Sequence, residues 1–149
     1  ERNRGALVNI SSLAAEFPLP FQSAYNIAKA GLSALNESLM MEVSGAKVVI
    51  LDVRPGDYRT DFEGSVRRPQ SASAQSPRLA RAWTAFVAMM ESGPAPAQAA
   101  VELRRALLRN RSGTVRIGRF FQAVIAPLIA RFGSLALKRR IQAAYFKIS

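Results

Sequence analysis

A chain of 149 residues, 49% of them apolar, is long enough for one domain with a substantial core. It has neither cysteine nor histidine, which removes disulfides, thiolate metal sites and imidazole catalysis together and leaves proton transfer to Tyr, Lys, Asp or Glu; no metal site is expected. The net charge of +11 is uneven: residues 1–99 hold ten Lys/Arg against nine Asp/Glu, whereas residues 100–149 hold eleven Lys/Arg against Glu102 alone.

In chain order, Ala6–Ile10 after Gly5 reads as a short strand. The next element is a helix from about Ser23, a suitable N-cap, to Ser44, stopped by Gly45. Its apolar stripe is expected at Ala28, Leu32, Leu35, Leu39 and Val43. Lys47–Arg54 is a second strand whose unbroken Val48-Val49-Ile50-Leu51 run predicts burial on both faces, as in a parallel sheet. Strand, helix and strand thus form a crossover unit of α/β type. Its first loop, about a dozen residues from Ile10 to the helix, exceeds the usual ~2–6, and such loops at the carboxyl ends of parallel strands are where α/β sheets bind ligands.

Pro55-Gly56 follows, then residues 57–77, rich in Arg, Ser, Gln and Pro, with the composition of a mobile lid or a disordered insert. Helical spacing returns over Arg78–Glu91 and again over Pro96–Arg109, and Thr114–Gly118 is a strand suited to a sheet edge. Residues 119–149 read as two helices split at Gly133, a basic and partly apolar tail set apart from the domain at 1–118. Its longest apolar run, Phe120–Ala130, contains Pro127 and falls short of the roughly 20 residues a bilayer span needs. Packing over the domain or a second subunit ranks first for this tail, an anionic membrane surface second, and nucleic acid last, because net charge without a module is poor evidence for it. No secretory leader is visible, so the expected location is cytoplasmic with a membrane-peripheral alternative. A start without methionine, directly before a strand, reads as part of a longer chain.

The chemistry concentrates between Ile10 and Lys29. Tyr25 and Lys29 stand four apart on the first turns of one helix and share a face. A tyrosine hydroxyl is too weak an acid to work as a base at neutral pH unless a nearby ammonium favours its phenolate, which is the role expected of Lys29. Ser12, thirteen positions before Tyr25 at the end of the first strand, can donate to a substrate oxygen on which charge develops. Ser11 is one position off that spacing and is expected to bond locally. Arg59, Asp61 and Arg67 read as solvated lid charges, and Trp83, Phe86 and Met90 as core before pocket lining.

Ser12, Tyr25 and Lys29, a Ser-x12-YxxxK pattern after a strand LVNIS and before a strand ending in Pro55-Gly56, resemble the short-chain dehydrogenase/reductase family. The resemblance covers about residues 5–118 and implies a Rossmann-like parallel sheet with flanking helices and a basic helical tail. It implies an NAD- or NADP-dependent oxidoreductase that interconverts a carbonyl and a secondary alcohol, with Tyr25 giving or taking the proton. It also implies that Tyr25, Lys29, Pro55, Gly56, Tyr58 and Thr60 contact the cofactor, Lys29 at the ribose hydroxyls, Thr60 at the carboxamide and Tyr58 through its backbone. The partners expected are a small-molecule carbonyl or alcohol, lipophilic if the tail meets membrane, and a second copy in a dimer or tetramer through the helix carrying Met40 and Met41. The family's Gly-rich phosphate turn, its NAD/NADP-choosing residue and its catalytic Asn all precede the serine, where this chain has no residues. The 149 residues alone are therefore expected to be inactive and to bind the cofactor negligibly. The alternative is a non-catalytic interaction protein that has kept the fold.

Overall fold

The structure, a computed structural model, describes residues 5–66 and 76–148. Three parallel strands form one sheet in the order β1 (Gly5–Ile10), β2 (Val48–Pro55), β3 (Gly113–Ile117), with Val8 opposite Leu51 and Val53 opposite Val115. The connections carry α1 (Ser23–Glu42) between β1 and β2, then α2 (Pro77–Glu91) and α3 (Pro96–Leu108) between β2 and β3. After β3 a π-helical turn at Phe121–Ile125 runs into α4 (Ala126–Phe132), and α5 (Leu135–Tyr145) follows Gly133-Ser134. This is the α/β crossover arrangement that the apolar runs predict and the Rossmann-like sheet that the resemblance implies, with element ends within about two residues of the expected ones.

The central strand explains the layering. Alternate side chains of β2 face opposite ways. Val49, Leu51 and Val53 join Tyr58, Ala106 and Ile117 in one core cluster beneath α3. Asp52 and Arg54, two apart on the other face, are also buried, so both faces are closed. A second cluster joins Ala82, Phe86 and Met90 of α2 to Phe146, just past α5. The basic tail therefore shares a core with the domain and is not a separate appendage.

Two expectations need correction. The inward face of α1 is only in part the apolar stripe: Leu32, Leu39 and Val43 are half-buried, but Leu35 is 50% exposed and Ala28 is exposed, whereas Ser33 and Asn36 are buried. The compensation is polar, since Asn9 Nδ2 donates to Asn36 Oδ1 at 2.6 Å, an option that hydrophobic periodicity does not register. Ser23 does not cap α1 either. The N-cap is Gln22, without a side-chain bond, and the entry is fixed instead by Asn26, which accepts from Leu19 N at 2.9 Å and donates to Leu19 O at 2.8 Å.

The segment after Gly56 is anchored as far as it is described. Tyr58 is in the first core cluster, and Arg59 N donates to Pro94 O at 3.0 Å. This approach requires a glycine at 93, where a Cβ would lie 2.9 Å from the Tyr58 backbone. Phe62 packs edge-on against Tyr25 and Phe86. The rest of the expected lid, including Arg67, lies outside the described residues.

Candidate active site

Ser11 and Ser12 end β1 side by side and do different things. Ser11 Oγ donates to the buried Asp52 carboxylate, with Val53 O a longer alternative at 3.2 Å, so its one proton is committed to the sheet. Ser12 Oγ instead accepts from Ala14 N at 3.0 Å, capping the 3-10 turn Leu13–Ala15, and its own proton is left to donate. The turn is held by Glu16, whose carboxylate takes Arg54 from β2 and Arg116 from β3, the latter at 2.6 and 2.9 Å. Arg54 also pairs with Asp52 at 2.7 Å. Burial works against the Arg54 charge, but its bonds to Asp52 and Glu16 more than offset this and raise its pKa.

Tyr25 and Lys29 project from α1 toward the same place. Lys29 Nζ donates to Ile10 O at 2.8 Å, the last carbonyl of β1, and lies 5.7 Å from the centroid of the Tyr25 ring. Phe62 meets the ring edge-on at 5.5 Å between centroids. Ser12, Tyr25, Lys29, Pro55, Gly56, Tyr58 and Thr60 all line one cavity of about 370 Å³, a size typical of small-molecule sites. The lining also includes the apolar side chains of Leu19, Phe62, Phe86, Met90, Ile141 and Phe146. Phe86 and Met90 thus serve both core and cavity. No group of His, Cys, Asp or Glu among the described residues could hold a metal ion.

The tail contributes what the motifs do not disclose. Gln122 Oε1 accepts from Asp57 N at 3.3 Å, and Gln122 Nε2 donates to the Asp57 carboxylate. Tyr145 donates to the same carboxylate at 2.8 Å and accepts from Gln122 Nε2 at 3.0 Å. The bare face of Gly56 is covered by the Gln122 side chain, which a Cβ there would displace. The one available sign was a glutamine inside the otherwise apolar run Phe120–Ala130. Burial pushes the Tyr145 phenol far above its ordinary range, and Asp57 pushes it further. The folded state thus holds this proton more tightly than the unfolded chain, whose tyrosines titrate near about 10. That contribution to stability is complete below about pH 10 and is lost as pH rises through the folded value. In urea titrations, Tyr145→Phe should show a shallower alkaline loss of stability than the parent protein; parallel curves would mean that the latch carries no proton linkage.

Residues 1–71 match the family model for short chain dehydrogenases. A short chain dehydrogenase of Pseudocercospora fijiensis is 34% identical over 79 residues, which are 53% of this chain and 25% of the relative. Estradiol 17-beta-dehydrogenase 2 of Mus musculus is 33% identical over 64 residues, 43% of this chain and 17% of the relative. The 3-ketodihydrosphingosine reductase of Bacteroides thetaiotaomicron is 34% identical over 59 residues, 40% and 22% of the two chains. These matches span a quarter or less of the relatives' lengths. A short-chain dehydrogenase from Streptomyces avermitilis superposes with a TM-score of 0.63 and 26% identity over 99% of this chain and 52% of its own. The parallel sheet agrees with that neighbour, and residues 1–71, just under half of the chain, carry the family match, so the chain is similar to the short-chain dehydrogenase/reductase family in fold and in its first half.

Proposed function

We propose that this chain forms the catalytic part of an NAD(P)-dependent oxidoreductase that interconverts a lipophilic carbonyl compound and its secondary alcohol. One observation carries the reading: Ser12, Tyr25 and Lys29 line a single cavity that Leu19, Phe62, Phe86, Met90, Ile141 and Phe146 line as well. A carbonyl has two needs there. Its oxygen requires donors where negative charge grows, and its hydrocarbon requires a dry surface.

The residues fit the nicotinamide end of a dinucleotide. Lys29, Pro55, Gly56 and Thr60 line the cavity beside Tyr25, and the Tyr58 backbone continues that edge. A reduced nicotinamide held there would supply the hydride for the carbonyl carbon. Ser12, its Oγ already loaded by Ala14 N, donates its free proton to the carbonyl oxygen and orients it. Tyr25 transfers its phenolic proton to that oxygen as the carbonyl π bond breaks, and the Lys29 charge near the ring stabilises the phenolate left behind. Proton return from solvent resets Tyr25. In the oxidative direction the same groups act in reverse.

The substrate class rests on the apolar lining, and the names of the estradiol and ketodihydrosphingosine relatives agree with it. The test uses the full-length protein that contains this chain, with NADH and NADPH offered separately. The expected result is cofactor oxidation with a long-chain or polycyclic ketone, at a KM well below that for a short hydrophilic ketone. No consumption of either cofactor with any carbonyl, and no reduction of either with any secondary alcohol, would overturn the reading.

A further inference from the structure

The outer side of the helical stretch that begins at Phe120 has no partner among the described residues. Phe120, Val124, Leu128 and Phe132 follow one another at intervals of four and are all exposed, Phe120 at 72% and Phe132 at 75%. Leu135, at 61%, extends the stripe past Gly133. Gln122 and Ala126, two positions round from this stripe, line the cavity. The helix is therefore a partition with the site on one side and an uncovered apolar face on the other.

The charges beside that face have one sign. Residues 103–149 contain no Asp or Glu. Arg131 lies over the Phe132 ring at 5.5 Å, and Arg139 and Arg140 are exposed nearby in the chain, whereas Arg119 is engaged with Ser92 O. Lys138 is not counted with them, because its ammonium caps α4 by donating to Ala130 O at 3.1 Å. Arg139 and Arg140 make no ion pair among the described residues.

We propose that this face docks in the plane of an anionic lipid membrane, with the phenylalanine stripe entering the acyl boundary and the arginines meeting the headgroups. Charge complementarity selects this occupant. A second copy joined across a two-fold would set the same basic cluster against itself. A phosphodiester backbone would satisfy the arginines but leave the stripe in water. No helix among the described residues is long and apolar enough to cross a membrane, which fits an interfacial orientation. Entry of a lipophilic substrate from the leaflet through this partition rests on the function proposed above; docking does not.

The experiment is vesicle flotation of the full-length protein without cofactor or substrate, so its failure and failure of the turnover assay are separate results. The vesicles are phosphatidylcholine alone or phosphatidylcholine with about one-third phosphatidylserine. Strong partition onto the anionic vesicles only is expected. Arg139→Gln with Arg140→Gln should weaken it roughly 30-fold, from about 1 kcal/mol per basic residue near the surface, and Phe120→Ser with Phe132→Ser should abolish it while the circular dichroism spectrum is retained. As a check that does not depend on destabilising substitutions, Phe132→Trp should show a blue-shifted emission quenched by brominated lipid. Absence of binding, equal binding to neutral vesicles, or binding indifferent to both variant pairs would overturn the proposal. So would a dimer that Phe120→Ser with Phe132→Ser dissolves in a protein that ignores vesicles, or retention on single-stranded DNA without vesicle binding.

Discussion

Tyr25→Phe in the full-length protein should lower turnover by about 10²- to 10⁴-fold, the range that general acid–base groups supply, while stability changes by less than about 0.5 kcal/mol. The substitution is selective because the ring's structural contacts survive it. The edge-on packing with Phe62 and the approach of Lys29 to the ring involve the aromatic carbons, and only the hydroxyl is lost. Cavity shape and cofactor affinity should therefore persist, which a calorimetric titration would show alongside the kinetics. Ser12→Ala removes the cap on Ala14 N together with the donor that the proposed function assigns to the substrate oxygen, so on that proposal it acts on catalysis and on the local turn at once. Turnover of the Tyr25→Phe protein within a few-fold of the parent would sink the assignment of the proton to this residue.

Arg54→Met should be the most destabilising single change near the site, costing about 3–5 kcal/mol, as expected when one partner of a buried ion pair is removed. Asp52 is 0% exposed and would keep only the Ser11 hydroxyl. Glu16 would retain Arg116 and so is the lesser casualty. Adding Asp52→Leu to Arg54→Met should recover part of the loss, because the stranded charge goes with it while Ser11 can still turn to Val53 O. Urea unfolding of the single and double variants forms the test, and a loss below about 1 kcal/mol for Arg54→Met would mean that water reaches Asp52. The effect bears on function because Arg54 ties the strand that ends at Pro55-Gly56 to the turn that carries Ser12.

Much of this was legible in the chain because it is local. The Val48–Leu51 run signals a strand buried on both sides, and a helix carrying Tyr25 and Lys29 four apart sets them on one face by geometry alone. The cavity draws the expected residues from the ends of β1 and β2 and from the first turns of α1. What stayed hidden depends on partners distant in sequence. The alternating Asp52 and Arg54 look like a strand leaving the core until Glu16 and Ser11 are seen closing the network. Asn36 looks like a solvent residue until Asn9 meets it. Phe146 packs on Phe86 across sixty positions of chain, and no periodicity records such a contact.

That last contact divides the labour of the site between the two ends of the chain. Ser12, Tyr25, Lys29 and Thr60 come from residues 10–60, whereas the tail adds Ile141 and Phe146 to the apolar lining, beside Gln122, Gln142 and Tyr145. On the proposed function, proton transfer and substrate shape can then change independently. Substitutions at Ile141 or Phe146 would redraw the volume offered to the hydrocarbon without touching Ser12, Tyr25 or Lys29. Grafting the corresponding terminal segment from one relative onto another would be a direct way to move selectivity between substrates while the reaction itself stays the same.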